Sequence, residues 1–221
     1  MEASPRSPPP APAPFSSVSG GRQDGASGPA AAWNTEAVPH DRRARRADVE
    51  TVELVGGTEK RALVLVDYDP YWPEAYAEHE RRIGAALGPL IRVEHVGSTS
   101  VPGLAAKPII DILVTVEDVT AEEDYLDHLL DAGYALRVRE PGHRMVRTPA
   151  RDVHVHIHDV GDPEAYDLLL LRDHLRTDVE DRDLYERTKR ALIGQDWADM
   201  NAYAEAKTEV ITGIKERARR S

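Results

Sequence analysis

Between Glu94 and Val114 two apolar runs flank the segment Gly97-Ser98-Thr99-Ser100-Val101-Pro102-Gly103, and the second run carries a carboxylate, Asp111. Runs of this length and composition, bounded by Gly, Ser and Pro, predict strands joined by a tight turn. Glycine has no Cβ, so the turn can adopt unusual backbone angles and bring its N–H groups close to a ligand. Anions are the natural guests of such a turn. Asp111 sits among Ile109, Ile110, Ile112 and Val114, where a half-buried carboxylate needs partners. The segment therefore reads as a site as well as a fold element.

Around it the two periodicities alternate. A strand is expected at 62–66, followed by a helix capped by Asp69 with Pro70 in its first turn and an apolar stripe of Trp72, Ala75, Tyr76, His79, Ile83 and Leu87, ending at Gly88-Pro89. Strands at 91–96 and 109–116 enclose the turn and a short helix near 100–106. Thr120 and Glu123 form a capping-box pattern ahead of a helix to about Leu130. Strands follow near 134–140, 143–148 and 152–158, then helices near 163–176, 180–193 and 197–219. Strands first and helices last describe an α+β domain, a mixed sheet flanked by helices with a helical C-terminal subregion.

Composition sets the boundary. Residues 1–46 hold eight of the sixteen prolines, interspersed with Ser, Gly and Ala, a mixture that buries too little apolar surface to offset chain entropy. The expected organisation is a disordered tail over 1–59 and one domain over 60–221. Residues 61–221 carry 21 Lys and Arg against 31 Asp and Glu, a balance that disfavours nucleic acid as a partner. The chain has no cysteine, which excludes disulfides, thiolate catalysis and cysteine-based metal sites and fits a cytoplasmic location. No apolar stretch approaches the roughly 20 residues of a membrane-spanning helix.

Several side chains are candidates for chemistry. His154, His156 and His158 alternate with Val153, Val155 and Ile157, so a strand places three imidazoles on one face. They read either as metal ligands with Asp111 or as a polar sheet face. Gly97 with the hydroxyls of Ser98, Thr99 and Ser100 reads as a phosphate cradle or as helix capping. Lys107 and Arg144 are candidate phosphate partners, with solvated lysine and surface ion pairing as the alternatives.

The run His95-Val96-Gly97-Ser98-Thr99-Ser100-Val101-Pro102-Gly103-Leu104-Ala105-Ala106-Lys107-Pro108-Ile109-Ile110-Asp111 resembles the central motif of the GrpB family. So do Tyr68-Asp69-Pro70-Tyr71-Trp72-Pro73, Val153-His154-Val155-His156, Leu171-Arg172-Asp173-His174-Leu175-Arg176 and Tyr203-Ala204-Glu205-Ala206-Lys207-Thr208, in order over about residues 60–220. GrpB proteins in turn resemble the polymerase β-like nucleotidyltransferases, whose pattern is a Gly-Ser turn, a helix and a strand bearing Asp-x-Asp or Asp-x-Glu. The spacing from Gly97-Ser98 to Asp111 fits that pattern, and Leu113 stands where the second carboxylate belongs.

The resemblance implies a nucleotidyltransferase-like fold, a nucleotide or phosphorylated small molecule as ligand, and a divalent metal, Mg²⁺ or Mn²⁺. Asp111 and His156 are then the catalytic candidates, and Asp111, His154 and His156 the metal ligands. Two-metal transfer needs two or three carboxylates, so Leu113 opens a second reading: a nucleotide- or anion-binding module without catalysis. A third is an accessory domain, since similar domains are found joined to dephospho-coenzyme A kinase.

Overall fold

A computed structural model describes residues 47–59, 64–195, 197 and 200–221 of the 221-residue chain. The expected disorder of residues 1–46 lies outside the described residues, as do Ala62 and Leu63 of the expected first strand. Val66 of that strand forms only an isolated bridge with Ala106.

Six strands form one mixed sheet: β1 (Glu53–Leu54), β2 (Arg92–Val96), β3 (Ile110–Val116), β4 (Ala135–Glu140), β5 (His143–Arg147) and β6 (Val153–Asp159). Their spatial order is β1-β4-β5-β6-β3-β2, with β3 and β6 parallel and every other pair antiparallel. Helices α1 (Trp72–Leu87) and α2 (Leu126–Asp131) cover one face. Helices α3 (Pro163–Thr177), α4 (Val179–Ile193), α5 (Met200–Glu205) and α6 (Thr208–Ala218) form the C-terminal subregion.

Alternation along the central strands decides what each face holds. Ile110, Ile112, Val114 and Val116 of β3, with Val153, Val155 and Ile157 of β6, pack with Trp72, Ile83 and Leu129 in the main core. The opposite face carries Asp111 and Leu113 beside His154 and His156, in register Asp111 to His154 and Leu113 to His156. Leu113 joins Val96 and Ala165 in a small apolar cluster against α3. Val101, Leu104, Leu175, Tyr185 and Ile214 form a third cluster, tying the segment after the turn to α3, α4 and α6.

Local chemistry moves some boundaries. Helix α1 starts at Trp72 with Pro73 in its first turn, where a missing N–H costs nothing, and Asp69 Oδ1 accepts the Tyr71 N–H at 2.9 Å instead of capping directly. Thr120 does not cap, because its hydroxyl bonds Asp118 Oδ1 at 2.5 Å; a 3₁₀ turn, Glu122–Asp124, precedes the short α2. The last expected helix divides into α5 and α6 at Ala206-Lys207.

The tail boundary at residue 59 is also corrected. Strand β1 pairs with β4 at the sheet edge, and Asp48 accepts the Gly142 N–H at 2.7 Å and an Arg144 N–H at 2.8 Å. Glu59 receives two N–H bonds from Arg147 at 2.7 and 3.0 Å. Residues 47–59 belong to the domain, because charged side chains anchor them where composition shows no core.

Candidate metal and anion site

Strand β2 ends at Val96, and Gly97 turns the chain with φ +69° and ψ −174°, a backbone region open essentially to glycine. A Cβ at this position would stand 2.5 Å from Oδ2 of Asp111. Glycine thus lets the turn lie directly on the strand carboxylate. The turn continues as one 3₁₀ turn, Ser98–Ser100, in place of the expected helix over 100–106.

The hydroxyls divide by partner. Thr99 is buried, donates to the Ile109 carbonyl at 3.0 Å and lies 3.1 Å from His95 Nε2. Ser100 Oγ donates to the Gly97 carbonyl at 2.6 Å. Both hydroxyls therefore donate to backbone carbonyls of the turn and the strand that follows it, which is nearer the capping reading than the phosphate-cradle one. Ser98 Oγ instead accepts from Lys189 Nζ at 3.1 Å.

Asp111 Oδ1 lies 3.6 Å from His154 Nδ1 and 3.6 Å from His156 Nε2. One ligand atom from each of the three residues lies within 4.8 Å of the others. Two donors held 2.0–2.2 Å from one ion at a tetrahedral angle stand roughly 3.3–3.6 Å apart, so the arrangement suits a single ion taking nitrogen and oxygen ligands. It does not suit a pair of magnesium ions, since Mg²⁺ demands oxygen ligands and the position that would add a carboxylate is the buried Leu113. Burial alone would raise the Asp111 carboxyl; the two imidazoles override it and hold the group well below the usual carboxylate range. His158 is turned away, with Nδ1 2.7 Å from Asp162 Oδ2.

Cationic residues gather beside this cluster. Lys189, on α4, is only 3% exposed, bonds the Ala105 carbonyl and stands 4.6 Å over the Tyr185 ring. Burial, reinforced by the charge of Lys207, brings its ammonium down to about 7. Lys207 Nζ lies 4.7 Å and Lys107 Nζ 5.0 Å from the centroid of Tyr203. Burial lowers the pKa of Lys207 while Asp111 opposes the shift. Sequence reasoning missed Lys189; its four-residue spacing from Tyr185 on one helix is the signal by which it could have been found.

Arg144 is not at the site. Its residue parity in β5 matches Val146 and Ile157 on the other face, and its guanidinium, 1% exposed as a residue, binds Glu122 Oε1 at 2.7 Å, Asp48 and the Glu140 and His143 carbonyls. Glu94, in the middle of β2 opposite Leu113, is engaged by Arg172 at 2.7 Å and Arg92 at 2.9 Å.

The sequence matches the family described as GrpB protein over residues 62–217. This chain belongs to the GrpB family. The UPF0157 protein SCO7215 of Streptomyces coelicolor is 62% identical over 174 residues, covering 79% of this chain and 94% of its own. The UPF0157 protein BH1888 of Halalkalibacterium halodurans is 42% identical over 180 residues, covering 78% and 92% respectively. The crystal structure of the conserved protein GrpB from Enterococcus faecalis superposes with a TM-score of 0.62 at 30% identity, over 70% of this chain and 96% of that one. Among the described residues of this GrpB chain, no helix is long and apolar enough to cross a membrane.

Proposed function

We propose that the GrpB site binds the phosphates of a nucleotide or related phosphorylated small molecule together with one divalent cation, and transfers a nucleotidyl or phosphoryl group to an acceptor. The observation that carries this reading is the placement of Asp111 Oδ1 3.6 Å from both His154 Nδ1 and His156 Nε2, directly beneath the Gly97 turn. Lys107, Lys189 and Lys207 supply the positive charge that a polyphosphate needs, and Ser98 is the hydroxyl of the turn bonded to Lys189.

Asp111, His154 and His156 would hold the ion, whose contribution is to neutralise charge on a phosphoryl oxygen. A mixed imidazole and carboxylate set favours Mn²⁺ or Zn²⁺ over Mg²⁺. The lysines orient the phosphates, and the Gly97 backbone lets them approach Asp111 closely. These are positioning and electrostatic roles, which account for most of the catalysis of phosphoryl transfer.

Leu113 favours a second reading, in which the site binds nucleotide without transferring it. Its side chain is 1% exposed and locked against Val96 and Ala165, so no second metal can be held there. Titration of the wild type and of Asp111→Asn with Mn²⁺, ATP and both together, followed by melting temperature, tests the binding. A ligand of the native state raises the melting temperature. The expected result is a nucleotide shift enlarged by Mn²⁺ in the wild type and stripped of its metal-dependent part in the variant; no shift with any combination overturns the reading. Pyrophosphate or phosphate release in the presence of Mn²⁺ separates transfer from binding alone.

A further inference from the structure

His156 has two ring nitrogens with different surroundings. Nε2 faces Asp111, whereas Nδ1 lies 3.2 Å from His143 Nε2, and the two rings are nearly parallel with centroids 5.3 Å apart. His143 Nδ1 in turn lies 2.8 Å from Glu140 Oε2. Strand register explains the series: β5 runs antiparallel to β6 and puts His143, Met145 and Arg147 on the same face as His158, His156 and His154.

The order of donors and acceptors follows from counting protons. An ionised carboxylate only accepts, and the hydrogen bond from His143 holds Glu140 below the usual carboxylate range. His143 must therefore donate from Nδ1. A neutral imidazole carries one N–H, so His143 Nε2 is an acceptor, and His156 Nδ1 must donate to it. With both rings neutral, His156 Nε2 then carries no proton and faces Asp111 Oδ1 across 3.6 Å, open to a cation.

We propose that Glu140 and His143 form a carboxylate–imidazole relay that holds His156 as its Nδ1–H tautomer, aiming a bare Nε2 at the cation site it shares with Asp111. The relay deepens the metal site proposed above and rests on that reading. Ligating imidazoles are commonly fixed through their other N–H by a carboxylate, carbonyl or water; here a second imidazole is interposed. His158 stacks on His143 with centroids 4.6 Å apart and is itself tied to Asp162, which keeps the His143 ring from turning out of line. His143 and Glu140 are positioning residues: they touch neither the ion nor the substrate. Both line a cavity of about 430 Å³ between the sheet and helices α3 and α6, with Lys215 at its wall.

The experiment uses the full chain, labelled with ¹⁵N-histidine and freed of metal, at pH 8, where an ordinary imidazole is neutral. Long-range ¹H–¹⁵N correlation reads the tautomer, and Mn²⁺ titration followed by electron paramagnetic resonance reads the affinity. The wild type should show His156 protonated on Nδ1. His143→Leu should lose that pattern and bind Mn²⁺ about 10–100-fold more weakly. His143→Gln should restore both, because its amide oxygen can accept from Nδ1. An Nε2–H tautomer in the wild type overturns the relay, as does a folded His143→Leu chain with wild-type tautomer and Mn²⁺ affinity. If the wild type takes up no Mn²⁺, the metal reading falls, and the tautomer alone decides the relay.

Discussion

Gly97 lies on the side chain of Asp111 so closely that a Cβ added to the glycine would stand 2.5 Å from Oδ2 and 3.0 Å from Cβ of the aspartate. The turn and the strand carboxylate are therefore one unit, joined by contact as well as by sequence spacing. Gly97→Ala faces that overlap and also a φ of +69°. Backbone strain of this kind costs about 1–3 kcal/mol, and the overlap adds to it, so a loss of roughly 3 kcal/mol in urea unfolding is expected. Asp111→Ala in the same chain should relieve part of the loss. Strict additivity of the two substitutions would show that the contact is not shared.

His95 predicts an acid limb. Burial brings its imidazole down to about 4, against the opposing charge of Asp111, while in the unfolded chain it titrates near 6.5. The folded state binds fewer protons in this interval, so the stability is complete above pH 6.5 and falls as the pH drops towards 4. The full loss is on the order of 3 kcal/mol. His95→Phe retains a ring to stack on Tyr76, now 4.7 Å away, and should flatten this part of the pH–stability curve. An unchanged acid limb in the variant would assign the effect elsewhere.

Much of this arrangement was legible in the chain, and the parts that were not share physical reasons. Strand alternation fixes relative parity, so His154 and His156 beside Asp111 followed from the sequence once β3 and β6 were neighbours. Parity does not name the face, which is why Arg144 was expected at the phosphate site and lies against the opposite one. The choice between cradle and capping for the hydroxyls was not legible, because short-range bonds such as Ser100 Oγ to the Gly97 carbonyl depend on the turn type. The GrpB resemblance identified the family, and the buried Leu113 stands where the expected second carboxylate would be.

Residues 47–59 carry the next prediction. Asp48 and Glu59 neutralise Arg144 and Arg147, and β1 covers the outer edge of β4. A chain starting at residue 60 should lose several kcal/mol of unfolding free energy relative to one starting at residue 47, since it leaves a buried guanidinium short of a partner and an open strand edge. Asp48→Ala alone should cost about 1–3 kcal/mol. Equal urea midpoints for the two chain lengths would return these residues to the tail.

Lys189 joins stability to binding. Its ammonium titrates at about 7 in the folded chain because burial and Lys207 disfavour the charge, and near 10.4 when unfolded. The unfolded state holds the extra proton between these values, so this lysine makes the protein more stable as pH rises from 7 towards 10, by at most about 1.4 kcal/mol per pH unit. Lys189→Met should remove that slope. A bound polyphosphate reverses the balance, since it favours the charged lysine that burial disfavours. Tripolyphosphate should therefore stabilise the wild type most at or below pH 7, draw protons from the buffer on binding near neutral pH, and do neither in Lys189→Met. Calorimetry in buffers of different ionisation enthalpy counts those protons, and a count that is the same in wild type and variant would remove Lys189 from the anion site.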